Sequence, residues 1–65
     1  LDALIAVTKR LSQYEARYRL ESEEFFSRYR RGQMTDDADF VEWANDYQHY
    51  QAIRSEIERH LRHAA

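Results

Sequence analysis

Apolar residues return mostly at intervals of three or four positions at the start of the chain: Leu1, Leu4, Ile5, Leu11, Tyr14 and Tyr18, with Lys9, Arg10, Gln13 and Arg17 mostly off that face. This is the helical period, and it predicts a helix over about residues 2–19, some 27 Å long. Thr8 falls in the stripe, where its hydroxyl can bond back to a carbonyl one turn earlier. Ser22-Glu23-Glu24 reads as a second start, a capping hydroxyl followed by two carboxylates that suit a helix N-terminus. Phe25, Phe26 and Tyr29 follow, then Arg28, Arg30 and Arg31, with Gly32 placed to take the left-handed position that closes a helix. A short helix over about 23–31 is predicted. Neither Arg19 nor Leu20 is a helix breaker, so the first two helices could run together.

Asp36, Asp37 and Asp39 supply caps and favourable charge for a third helix, in which Phe40, Trp43, Tyr47, Tyr50, Ile53, Ile57 and Leu61 keep the period. It is predicted over about 37–62, roughly 39 Å. The fold class is therefore all-α: one domain, residues 1–65, built as an antiparallel helical hairpin with a short middle helix. The third helix outruns the first, and the overhang is expected either to fray or to pack on another chain in a helical-bundle oligomer.

Ring density sharpens that expectation. Seven aromatic residues lie between Phe25 and Tyr50, more ring area than a lone hairpin is expected to hide from water. A ring-rich core is one use for them. A contact surface is the other, since Tyr and Trp are favoured at interfaces. On the second, Trp43, Tyr47, Tyr50 and Phe40 are the anchors, with Trp43 as the hot spot.

Composition narrows the class. A chain of 65 residues buries only about 60% of its unfolded surface, and such small cores usually need disulfides, a metal or oligomerisation. No cysteine is present, which closes the disulfide and thiolate-zinc routes and fits a reducing compartment. No apolar run approaches the roughly 20 residues that span a bilayer, so a cytoplasmic setting is expected. Leu rather than Met opens the sequence, which allows for a missing or processed start.

The formal charge is −2, but it is distributed in blocks. Arg17, Arg19, Arg28, Arg30 and Arg31 are followed by Asp36, Asp37, Asp39, Glu42 and Asp46. These form either a solvated surface or a pattern for steering a partner, the steering set being Arg28, Arg30, Arg31, Asp36, Asp37 and Glu42. Asp46 with His49, His60 with His63, and Glu56 with His60 have spacings that can share a metal on a helix, but the first helix offers only Asp2 and Glu15 to complete a site. No metal or other cofactor is expected. Nothing resembles a phosphate loop or a catalytic serine setting, and a bundle this small is expected to lack a pocket of about 300 Å³. The chain reads as a non-enzyme with no small-molecule substrate. Direct DNA binding through Arg28-Tyr29-Arg30-Arg31 is the alternative, weakened by the acidic residues on either side.

The sequence of blocks Tyr14-x3-Tyr18, Ser22-Glu23-Glu24-Phe25-Phe26, Arg28-Tyr29, Gly32, Asp36-Asp37-x-Asp39-Phe40-x-Glu42-Trp43 and Tyr47-x2-Tyr50 resembles a family of small helical, mostly uncharacterised prokaryotic proteins. Some of its members resemble antitoxin components encoded beside a small toxin-like partner. The similarity covers about residues 14–52. It departs at Arg19, near which the family pattern has a glycine that would separate the first two helices. The resemblance implies a non-enzymatic protein that acts by binding another protein, in one form by covering a toxin's active surface. A dimeric DNA-binding regulator and a purely self-assembling bundle remain as the other functions.

Overall fold

Three helices and no strand make up residues 2–63, the part of the chain that the structure, a computed structural model, describes. They are α1 (Asp2–Tyr18), α2 (Ser22–Arg30) and α3 (Ala38–His63). Leu1, Ala64 and Ala65 lie outside the described residues, and so does the expected place of Leu1 on the first stripe.

The break between α1 and α2 is real, although no glycine makes it. Arg19 takes φ 52°, and the Leu20 amide reaches back to the Glu15 carbonyl at 3.3 Å. That is the six-to-one bond of a Schellman turn. A left-handed backbone costs a residue with a Cβ about 1–2 kcal/mol, so Arg19 holds under strain the turn that a glycine would hold freely. Leu20 helps to pin it by packing against the core.

The start of α2 differs from the sequence expectation. Ser22 is the first helical residue rather than the cap, and Glu21, at the cap position, makes no capping side-chain bond. The free Ser22 amide instead donates to the Glu15 carboxylate of α1 at 2.9 Å, so the cap comes from another helix. At the far end Gly32 has φ 73°. Its amide bonds to the Tyr29 carbonyl at 3.1 Å and that of Gln33 to the Arg28 carbonyl at 2.9 Å, a complete Schellman pair. A Cβ on Gly32 would meet nothing within 4 Å, so glycine is needed there for its backbone, not for space. α3 opens on the Asp37 carbonyl, which accepts from the Phe40 and Val41 amides at 2.9 and 3.0 Å.

α1 lies chiefly against α3, and α2 covers the same helix from a second side. Tyr14 stacks on Trp43, Arg10 pairs with Asp46 and Arg17 with Asp39, so the contacts descend α3 as they ascend α1. Leu11, Phe25, Trp43, Ala44 and Tyr47 form the core, flanked by Tyr14, Leu20, Phe26, Tyr29, Met34, Phe40 and Tyr50. Two expectations are corrected here. One chain shelters its central rings after all, with Trp43 and Phe25 at 0% exposure and Phe40 and Tyr50 half-buried, because α2 folds over them as a lid that a two-helix picture lacks. On α1, Val7 is fully buried while Ile5 is 63% exposed.

Candidate interaction site

Trp43 occupies the centre of the core. Its indole lies flat on Phe25 at 3.8 Å between centroids, with Tyr14 at 5.5 Å and Tyr18 at 5.7 Å around it. Its Nε1–H donates to the Ser22 hydroxyl at 2.9 Å. Tyr47 is also buried, in contact with Phe26, and its hydroxyl accepts from the Gln51 amide at 2.6 Å. Trp43 and Tyr47 therefore do not lie on a contact surface. Phe40, against Tyr18 and Phe25, and Tyr50, beside Tyr47, are half-buried. The ring band is the core rather than the docking face, because Phe25 and Ser22 satisfy both the face and the edge of the indole within the chain.

The expected steering charges are exposed but partly engaged. Arg28 bonds to Glu24 at 2.8 Å, Arg30 sits 6.0 Å above the Phe26 ring, and Arg31 donates to the Ser27 carbonyl at 3.2 Å. Asp36 and Asp37 face solvent, and Glu42, also exposed, lies beside the Tyr14 hydroxyl. Elsewhere the acidic block is consumed within the molecule. Arg10 grips buried Asp46 with two bonds of 2.9 and 3.0 Å, a fork that fits a carboxylate. Asp39 accepts from Arg17 at 3.0 Å and from the Tyr18 hydroxyl at 2.5 Å.

This polar flank shifts two phenols. Burial, reinforced by the Glu42 carboxylate at its hydroxyl, pushes Tyr14 up to about 12, and the bond to Asp39 raises Tyr18. A phenol whose folded value lies above its unfolded value of about 10 stabilises the fold below pH 10, and that contribution is lost as pH rises toward 12. Stability should thus fall across that alkaline window, and Tyr14→Phe should flatten the fall and remove the latest phase of the phenolate absorbance titration. An unchanged late phase in the variant would count against the assignment.

Open grooves of about 320 and 440 Å³ border α2. Their size reaches the low end of ligand sites, which corrects the expectation that the chain has no room for one. Their walls, including Glu15, Glu21, Glu23 and Arg54 in the first, converge on no unpartnered buried group, since among the described residues every buried side-chain N or O has a hydrogen bond. Among the same residues no three His, Cys, Asp or Glu side chains gather to hold a metal. Asp46 is committed to Arg10, and Glu56 to Arg59 and His60.

The sequence reading expected the overhang of α3 to fray or to pack on another chain, but it named no residue at that open end of the molecule as an anchor. Ile57 is 42% and Leu61 67% exposed on the overhanging turns of α3, while Ile5 stands exposed at the start of α1. Leu4, Tyr50, Arg54, Ile57 and Glu58 line a groove of about 300 Å³ between these helices. The signal was present in the unequal helix lengths, but the rings drew the expectation toward the middle of α3. No described helix is long and apolar enough to cross a membrane. Compared with known proteins, the chain matches no family model, no curated protein and no solved structure.

Proposed function

We propose that this chain is a non-enzymatic protein-interaction module: an antiparallel helical hairpin, capped by its middle helix, that binds through its open end. The observation that supports this is the exposed set Ile5, Ile57 and Leu61, the first and last of them the most exposed large apolar residues described, beyond Tyr18 and Val41, in a molecule that pairs its buried polar groups. Polar side-chain pairs within α3, Arg54 with Glu58 and Glu56 with Arg59 and His60, give these residues the polar rim typical of a binding patch. The partner is a protein with an apolar surface, and self-association into a helical bundle uses the same residues. The antitoxin-like form, in which that partner is a small toxin, is supported by the resemblance of the residue blocks alone. A cytoplasmic setting belongs to the same proposal.

The experiment is a double substitution, Ile57→Asp with Leu61→Asp. Both side chains are exposed, so helicity and melting should stay close to those of the unaltered chain. Partner binding or self-association, measured by sedimentation of the purified chain and of any captured complex, should weaken at least tenfold. Binding that survives this pair but fails in Arg28→Glu with Arg30→Glu would move the site to α2. Steep loss of duplex binding with salt would then favour the DNA-binding alternative.

A further inference from the structure

The segment Arg19-Leu20-Glu21 is a turn made from residues that prefer not to turn. All three are among the better helix formers, no glycine or proline precedes Gly32, and Arg19 is forced to φ 52°. The helix that follows has no cap at its own cap residue. Moreover, the apolar stripe does not lose phase at the break. Leu4, Val7, Leu11, Tyr14, Tyr18, Ser22, Phe25 and Tyr29 recur at intervals of three or four straight through it, as a single long helix requires. Straightened, residues 2–30 would form one helix of about 43 Å with every one of these side chains on one face, and the amides at its middle would exchange the Glu15 cap on Ser22 for helical bonds.

A straight helix cannot keep α1 on α3 of its own chain. It would leave α2 in place, held by the stack of Phe25 on Trp43 and by the Ser22–Trp43 bond, and carry α1 away. What α1 abandons is specific: Arg10 on Asp46, Arg17 and Tyr18 on Asp39, and Tyr14 on Trp43. Only one other surface offers the same partners in the same register, namely α3 of a second copy. We propose that the α1–α2 turn is a hinge, and that two chains exchange α1 to form a swapped dimer in which the hinge is helical. Strained short hinges are a recognised route to such exchange. The swap re-forms each α1–α3 contact between copies and relieves two strained turns. Losing the independent motion of one chain opposes it, so concentration sets the balance.

Two measurements test the hinge, and both leave Ile57 and Leu61 intact, so failure here is separable from failure of the open-end site. In sedimentation across a concentration series, the unaltered chain should form a dimer at high concentration. Arg19→Gly should weaken that dimer on the order of a hundredfold, because glycine relaxes the turn and disfavours the helical hinge at both copies. The second measurement uses Arg10→Asp and Asp46→Arg, each of which sets like charges together within one chain. Mixed, the two variants should yield a one-to-one dimer. Exchange of α1 then sets the introduced carboxylate of one variant against the introduced guanidinium of the other, and the second half of the dimer keeps the native pairing of Arg10 with Asp46. A chain that stays monomeric at every concentration overturns the proposal. So does a dimer equally strong in Arg19→Gly, or a mixture that sediments as the separate variants do.

Discussion

Trp43→Ala is expected to unfold the protein rather than to detach a partner. The indole is at 0% exposure and touches side chains from all three helices. Truncating a fully buried aromatic costs about 3–5 kcal/mol. A core of this size supplies only about that much, and the general range for 65 residues is roughly 3–10 kcal/mol. Most of the chain should therefore lose its helical signal at room temperature, and any loss of binding would follow from that. In the unaltered protein the indole emission should be blue-shifted and poorly reached by a soluble quencher. A Trp43→Ala variant that melted cooperatively near the parent would contradict the placement of this ring.

Most of the helical content was legible because the chain obeys its period nearly everywhere. The 3.6-residue return of Leu11, Tyr14, Trp43 and Tyr47 marks their faces, and Gly32 marks the end of α2. The register was also written in the sequence, though in charges that are easily read as mere surface. Arg10 and Arg17 lie seven residues apart, as do Asp39 and Asp46, so two antiparallel helices meet both pairs at once. Val7 was legible and was passed over: three residues after Leu4 and four before Leu11, it falls on the stripe, whereas Ile5 falls off it. What could not be read was the turn between α1 and α2. The α1–α2 break has no breaker. It is imposed by tertiary packing of Leu20 and α2, which outweighs the local preference of Arg19 for a helix.

The aromatic band misled for a related reason. Ring content alone does not say whether rings are shared between molecules or stacked within one. The difference lies in α2, whose Phe25 reaches the indole face that a simple hairpin would leave wet. With Trp43 and Tyr47 taken inside, the large apolar residues left exposed are Tyr18 and Val41 and, where α3 outlasts α1, Ile5, Ile57 and Leu61, and the proposed interaction uses the last three. Interaction through that end demands no rearrangement of the core. Exchange through the hinge keeps the core's contacts but redistributes them between chains.

Ser22→Ala offers the sharpest test of how the indole is held, because Ser22 reads from the sequence as a helix cap. Its hydroxyl, buried with the residue, accepts the Trp43 Nε1–H at 2.9 Å, and its amide, not its side chain, meets Glu15. Alanine keeps the amide contact and the good helix start, so a lost cap should cost next to nothing here. What it removes is the acceptor for a buried donor, and leaving such a donor unmet costs about 1–3 kcal/mol. Against a total of a few kcal/mol that is a large fall in the denaturant midpoint. Trp43→Phe removes the donor instead, at the cost of a cavity. In that background Ser22→Ala should be close to neutral, or mildly stabilising, since no polar group is then stranded. A double-mutant cycle read by chemical denaturation separates the two origins: a coupling of at least about 1 kcal/mol locates the effect in the Ser22–Trp43 bond, whereas equal costs in both backgrounds would return Ser22 to a purely local role at the start of α2.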